Sequence, residues 1–121
     1  ICQCYHDQLI SIRRKLHQMP EEGWSEFTTT SFSFKHGYKV LLGRSIINPD
    51  ACLGRSPQVV QAGIERARKN GVSEDLLKEM QELTGCVAVL DTGRPGPTFA
   101  CRFDIDCVPV QESSDPNHLP N

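Results

Sequence analysis

Residues 84–109 read TGCVAVLDTGRPGPTFACRFDIDCVP, two β-patterned runs on either side of a turn that is rich in glycine and proline. The pattern predicts a hairpin whose second strand ends in two carboxylates, Asp104 and Asp106. Residues i and i+2 of a strand point to the same face, so both acids can face one site, roughly 7 Å apart at their Cα atoms. Two such acids after an apolar strand indicate that the strand end meets water, a metal or a substrate. A solvated strand end and a candidate site both stay open at this point.

Two helices are predicted upstream of this hairpin, the first from Ser56 to Gly71 and the second from Ser73 onward. Ser56 and Ser73 are N-cap residues, and Pro57 suits the first helical position. Apolar side chains at helical spacing predict one buried stripe on the pair, made of Val60, Ile64, Ala67, Leu76, Leu77, Met80 and Leu83.

The first third of the chain predicts an amphipathic helix over 7–19, which Asp7 can cap and Pro20 stops. Residues 27–37 predict a short helix at most, because threonine, serine and phenylalanine are mediocre helix formers. A strand follows over 38–42. Helices that alternate with these strands indicate the α/β class.

Composition excludes two classes of partner. The 121 residues fit one domain, with 38% hydrophobic and 23% charged residues and a formal net charge of −2. That charge gives no basic field for nucleic acid, and no apolar stretch approaches the length of a membrane span. We therefore expect no nucleic-acid partner, no membrane and a cytoplasmic location.

The six cysteines leave two alternatives open beside plain reduced thiols. Their even number allows disulfides, although Cys86, Cys101 and Cys107 lie in apolar strand patterns where a free thiol acts as a small buried hydrophobe. Cys2-x-Cys4-x-His6 allows a small zinc site, but its alternating spacing is not that of the common zinc motifs. Reduced cysteines of a cytosolic protein are the favoured interpretation.

Several sequence blocks together resemble one enzyme family. Residues 13–27 (RRKLHQMPEEGWSEF), 42–44 (LGR), 84–85 (TG), 90–97 (LDTGRPGP) and 102–106 (RFDID) occur in the order typical of peptidase family M20. The chain is similar to the N-terminal portion of these metal-dependent amidohydrolases, and within them to the aminobenzoyl-glutamate subgroup. The helical segment near 44–83 resembles an insertion of that subgroup.

The resemblance implies hydrolysis of the amide bond of an N-acyl or N-aroyl amino acid, such as p-aminobenzoyl-glutamate. Two divalent metal ions, manganese or zinc, would share a bridging water in the complete enzyme, with a glutamate as general base. It also implies that 1–121 is part of the catalytic domain, and that oligomers form through a dimerisation domain this chain lacks.

The two acids keep a supporting role under this resemblance. Asp106 matches an aspartate at the mouth of the metal site that orients a metal-bound ligand, and Asp104 occupies a position where other branches place a metal-binding histidine. We rank Asp104 below Asp106. Glu21 and Glu26 are interpreted as capping or ion-pairing groups.

The metal ligands and the general base of the family match no residue of this chain. We therefore expect the fragment to bind no metal ion and to be inactive alone, with a non-catalytic interaction module or a relic of such an enzyme as the alternative. The segment 27–37 is also about four residues shorter than in the family, close to one helical turn.

Overall fold

The computed structural model describes residues 2–32, 38–111 and 113–115, and within them four α-helices and two short strands. In chain order these are α1 (His6–His17), α2 (Phe27–Ser31), β1 (Lys39–Leu41), α3 (Pro57–Lys69), α4 (Glu74–Met80) and β2 (Val87–Val89). Short 3₁₀ turns lie at Cys2–Tyr5, Gly43–Ser45 and Pro49–Ala51. Helices combined with a small sheet agree with the predicted α/β class, and α2 is as short as the sequence indicates. Residues 33–37 of that predicted segment lie outside the described part of the chain.

Helices α3 and α4 supply most of the hydrophobic core. The buried cluster consists of Phe27, Leu42, Val60, Ile64, Ala67, Leu77 and Met80. Half-buried apolar side chains from β1, the α3–α4 connection, α4 and the approach to β2 pack against it, namely Val40, Val72, Leu76 and Cys86. The predicted insertion near 44–83 therefore builds the core rather than decorating it.

Both core helices begin where the sequence predicts. Ser73 caps α4 because its Oγ accepts a hydrogen bond from the Leu76 N–H at 3.3 Å. Pro57 occupies the first turn of α3, but the Ser56 hydroxyl does not cap this helix. The Ser56 Oγ instead donates to the Gln58 Oε1 at 2.7 Å. Proline at the first turn is thus the stronger start signal for α3.

The predicted hairpin is wrong. β2 pairs in antiparallel orientation with β1, with Lys39 opposite Val89 and Leu41 opposite Val87. Residues 98–106 carry no strand, and no ladder joins them to any other described segment. A strand exists only where a partner completes its hydrogen bonds, and the apolar residues around β1 offer β2 a partner that adjoins the core. Local β pattern therefore identified β2 but not its neighbour.

Two glycines permit close approaches between elements. A Cβ built on Gly63, in the middle of α3, would lie 2.9 Å from the Ser25 Cβ and 3.0 Å from the Ser25 carbonyl oxygen. A Cβ on Gly43, whose φ is +55°, would lie 2.8 Å from the Glu79 carbonyl oxygen at the end of α4. Side chains at these positions would push α3 and α4 away from the segments they contact.

Helix α1 forms where it is predicted but buries none of its residues. Leu9 is 59% exposed and Ile12 is 42% exposed, so the apolar stripe of this helix faces outward. The predicted cap is also wrong, because the N-cap residue is Tyr5 and Asp7 lies inside the first turn. Amphipathic spacing thus identified the helix, while the described residues provide little to cover its apolar side.

The described cysteines are free thiols, which agrees with the favoured interpretation. Cys86 packs against the core and Cys107 is half-buried. Cys101 is exposed, contrary to the buried position predicted for it, because residues 98–106 have no sheet to lie in. Among the helices of the described residues, none is long and apolar enough to cross a membrane.

Candidate functional site

The segment that carries the two acids is attached to a turn at residues 21–24. The Cys107 N–H donates to the Glu21 carbonyl oxygen at 2.9 Å, and Glu22 and Cys107 form an isolated parallel bridge. The Asp106 Oδ2 lies 3.8 Å from the position that a Cβ on Gly23 would occupy. Since Gly23 has no side chain, the Asp106 carboxylate sits directly beside the turn and stays exposed to solvent. The structure thus fixes the backbone next to Asp106 rather than its side chain.

Asp104 lies in a different environment from Asp106. Its Oδ1 is 2.6 Å from the Arg102 Nη2, and the two side chains are 68% and 86% exposed. Ion pairs of this kind on the surface contribute little to stability, because water screens both charges. Asp104 is therefore a solvated acid with one cationic neighbour.

The turn itself is held by a buried carboxylate. The Glu21 side chain is fully buried, and its two oxygens accept hydrogen bonds from the N–H groups of Thr28 at 3.1 Å and Thr29 at 2.7 Å. These N–H groups belong to the first turn of α2, whose amides have no partner within the helix. The predicted capping role of Glu21 is confirmed.

Arg66 of α3 supplies the positive charge beside Glu21. Its Nε lies 3.6 Å from the Glu21 Oε1, an ion-pair distance rather than a hydrogen bond. Its Nη2 donates to the Ser25 Oγ at 2.9 Å and to the Ser25 carbonyl oxygen at 3.3 Å. One guanidinium therefore ties α3 to both ends of the turn, and it compensates a charge that would be costly to bury alone.

A second buried contact ties α2 to the approach of β2. The Thr84 Oγ1 donates to the Glu26 Oε2 at 2.5 Å, and the Gly85 N–H donates to the Thr30 Oγ1 at 2.9 Å. Glu26, Thr30 and Thr84 are all buried. Glu26 thus serves as a hydrogen-bonding group of the structure, and the Thr84-Gly85 pair is placed against the helix that follows the turn.

A cleft of about 540 Å³ opens between the turn, α3 and residues 107–111. Apolar side chains of α3 and of the 107–111 segment make up much of its wall, and Arg66, Glu22 and Ser25 contribute polar groups. Neither Asp104 nor Asp106 lines it. The structure therefore brings Asp106 to the rim of the turn but gathers no catalytic group around it.

The described residues do not fit a metal centre. No three His, Cys, Asp or Glu side chains within 2–32, 38–111 and 113–115 are grouped so that they could hold an ion. The side chain of Cys2, on which the alternative zinc site depends, lies outside the described part. The two divalent ions implied by the sequence resemblance thus find no ligand set among these residues.

Sequence reasoning missed the part of Arg66. It lies on α3, 41 residues beyond Ser25, and its charge gives no local sign of a buried acid. The only signal in the sequence is Gly63, one helical turn earlier, because a glycine inside a helix indicates a close approach of another segment.

Comparison with known proteins supports the sequence resemblance. The chain is 46% identical over 120 residues to a p-aminobenzoyl-glutamate hydrolase homolog of Haemophilus influenzae, covering 95% of this chain and 28% of the relative. It is 40% identical over 114 residues to an indole-3-acetyl-aspartic acid hydrolase of Enterobacter agglomerans, covering 89% of this chain and 26% of that protein. No protein-family model matches the chain.

A solved structure agrees with the same assignment. The crystal structure of an aminobenzoyl-glutamate utilization protein from Klebsiella pneumoniae superimposes with a TM-score of 0.80 at 37% identity, covering 88% of this chain and 28% of that one. The chain therefore spans about a quarter of the length of the relatives it matches. It is a homologue of p-aminobenzoyl-glutamate hydrolases and shares the corresponding portion of their fold.

Proposed function

We propose that this chain, a homologue of p-aminobenzoyl-glutamate hydrolases, forms the N-terminal portion of a metal-dependent amidohydrolase of peptidase family M20. The substrate class follows from the chemistry that the relatives' names share. Aminobenzoyl-glutamate and indole-3-acetyl-aspartic acid both join an aromatic acyl group to an acidic amino acid through an amide. An N-acyl or N-aroyl derivative of an acidic amino acid, such as p-aminobenzoyl-glutamate, is the substrate that we assign to the complete enzyme.

One structural observation carries this proposal. Three of the sequence blocks that resemble the family are far apart in the chain but meet around the turn. The Glu21 carbonyl accepts from the Cys107 N–H, and Glu26 accepts from Thr84. Contacts between blocks separated by 58 and more residues are expected if the blocks are parts of one site framework. They support the enzyme assignment over a chance similarity of local patterns.

Within this proposal Asp106 is a positioning residue. The bridge between Glu22 and Cys107 holds the backbone beside it, and the absent side chain of Gly23 leaves its carboxylate room at the rim. From there the carboxylate can accept a hydrogen bond and orient a neighbouring ligand group. Asp104 keeps a lower rank, since Arg102 already occupies one of its oxygens.

The chain alone is proposed to be inactive. We place the two divalent ions, Mn²⁺ or Zn²⁺, and the general base on residues beyond this chain, because the described residues offer no group of ligands. Oligomerisation through a separate dimerisation domain belongs to the same proposal. A cytoplasmic location is supported by the free thiols of the described cysteines.

The test is hydrolysis of p-aminobenzoyl-glutamate by the purified chain of 121 residues with added Mn²⁺ or Zn²⁺. We expect turnover indistinguishable from a metal-only blank. The matched positive control is the protein from Haemophilus influenzae, assayed under the same conditions. Metal-dependent release of p-aminobenzoate by the chain alone would overturn the assignment of inactivity.

A non-catalytic interaction module is the second candidate function. The observation that favours it is the series of apolar side chains exposed along residues 87–110. Among them, Phe99 is 83% exposed and Phe103 is 80% exposed. Large apolar side chains that follow one another on a surface mark contact sites for other protein segments.

A further inference from the structure

Residues 98–106 have the sequence of a β-strand but no described partner. Their side chains alternate strictly, with apolar Phe99, Cys101, Phe103 and Ile105 at odd positions and Thr98, Ala100, Arg102, Asp104 and Asp106 at even positions. Strict alternation over this length is typical of a strand with one apolar face. No backbone hydrogen bond joins 98–106 to the rest of the described chain. The segment therefore offers unpaired donors and acceptors along its length.

Both faces of this segment are open to solvent. Phe99 and Phe103 are each at least 80% exposed, and Ile105 is 38% exposed. On the other face, Arg102 and Asp104 are 86% and 68% exposed, and they neutralise one another. An apolar face beside a balanced pair of charges is suited to a partner strand with the same composition.

We infer that residues 98–106 pair in antiparallel orientation with the same residues of a second copy of this chain. The pairing is centred on Phe103, which lies opposite its own copy. Arg102 then faces Asp104 of the second copy, and Asp104 faces Arg102. On the apolar face, Cys101 lies opposite Ile105. Both cross-strand charge pairs are attractive, and the aromatic pair at the centre adds contact area.

The charges select this register over its neighbours. A shift by one residue would place apolar side chains of one strand opposite polar side chains of the other. Moving the centre to Arg102 would bring two arginines face to face, and moving it to Asp104 would do the same with two aspartates. Like charges directly opposite each other are destabilising. Of these arrangements, the one centred on Phe103 keeps the faces matched without a like-charge pair.

The inference is independent of the proposed hydrolase activity and of any dimerisation domain. It uses only the surface of this chain, and the resulting contact has twofold symmetry. Each substitution therefore acts twice in the dimer. A single charge reversal converts two attractive pairs into two repulsive ones, which should weaken the dimer roughly tenfold or more.

The test is sedimentation velocity of the 121-residue chain over a range of concentrations, with a reducing agent present because the thiols are free. We expect a monomer–dimer equilibrium for the parent. Arg102→Asp and Asp104→Arg should each shift the equilibrium to monomer. The double variant Arg102→Asp/Asp104→Arg exchanges the two charges and should restore the dimer to within a few-fold of the parent.

Arg94→Asp is the matched control, because it makes the same charge change in the exposed turn before the segment. It should leave the dimer unchanged. Circular dichroism of each variant verifies that the core is still folded. A parent that stays monomeric at all concentrations would overturn the inference. A double variant that fails to associate, or a control as disruptive as Arg102→Asp, would overturn it as well.

Discussion

Glu21 shows how a single side chain can connect three elements. Its carboxylate caps α2 through Thr28 and Thr29, it lies beside Arg66 of α3, and its own carbonyl holds Cys107. A buried carboxylate is tolerated here because two N–H groups and one guanidinium compensate its charge. Loss of that charge should therefore be felt at all three contacts.

Glu21→Gln is expected to lower the free energy of unfolding by about 2 kcal/mol, since hydrogen bonds to a charged group and the pairing with Arg66 are both weakened. Urea denaturation of the purified chain measures the change. Glu22→Gln is the matched control, because its neighbouring side chain is exposed, and it should alter stability by less than about 0.5 kcal/mol. Equal effects of the two substitutions would contradict a structural role specific to Glu21.

Glu74 provides a pH-dependent contact between α3 and α4. Its oxygens accept from the Arg68 Nε at 2.5 Å and Nη2 at 3.1 Å. This hydrogen bonding lowers the pKa of the Glu74 carboxyl, and it raises the pKa of the Arg68 guanidinium. Because the folded-state pKa of Glu74 is depressed, the stabilising effect is present above the unfolded pKa and is lost as the pH falls through the folded pKa.

An NMR titration of the Glu74 carboxyl carbon should show this dependence directly. We expect Arg68→Met to raise the pKa of Glu74, since the principal cause of the lowered value is removed. Lys78→Met should raise that pKa by less, because Lys78 makes the weaker contribution. A pKa that is the same with and without Arg68 would refute this explanation.

At the scale of elements, the seating of α3 against the turn depends on Gly63. Its missing side chain lets the helix approach Ser25, where Arg66 then reaches the Ser25 hydroxyl. The neighbour of Gly63 is backbone and Cβ rather than the end of a flexible side chain, so the contact cannot relax locally.

Gly63→Ala should reduce the free energy of unfolding by about 1 to 2 kcal/mol, because the cost of overpacking exceeds the gain in helix propensity. Gly96→Ala is the control, since a Cβ there would meet nothing within 4 Å. Thermal and urea unfolding of both variants would measure the difference. A more stable Gly63→Ala protein would mean that α3 has room at this position.

Local signals explain which elements could be predicted from the sequence. Pro57, Ser73 and the apolar spacing of α3 and α4 act within a few residues of one another, so the starts and buried faces of these helices were correct. The strand over 98–106 was wrong, because alternation describes a strand's faces and says nothing about its partner. The exposed face of α1 was missed for the same reason, since burial depends on what lies opposite.

At the scale of the whole molecule, the family resemblance gave more than the local patterns did. It joined the blocks at residues 13–27, 84–85 and 102–106, and the homologues confirm that assignment. The buried contacts around Glu21 could not be predicted, because Arg66 lies on a distant helix whose position depends on tertiary packing. The roles of Asp104 and Asp106 stay predictions until a complete enzyme is assayed.

The unpaired backbone of residues 98–106 also decides where a protease can enter. Proteases bind their substrates as extended chains, and trypsin cleaves after arginine, so Arg102 is an accessible cut site on this surface. The arginines of α3 are less accessible, since their backbone belongs to a helix of the core. Among the described residues, the core cluster and its packed neighbours reach no further than Cys86, so a cut at Arg102 would leave them intact. Association with a second copy would shield the same bond, and the lifetime of the intact chain would then depend on its own concentration.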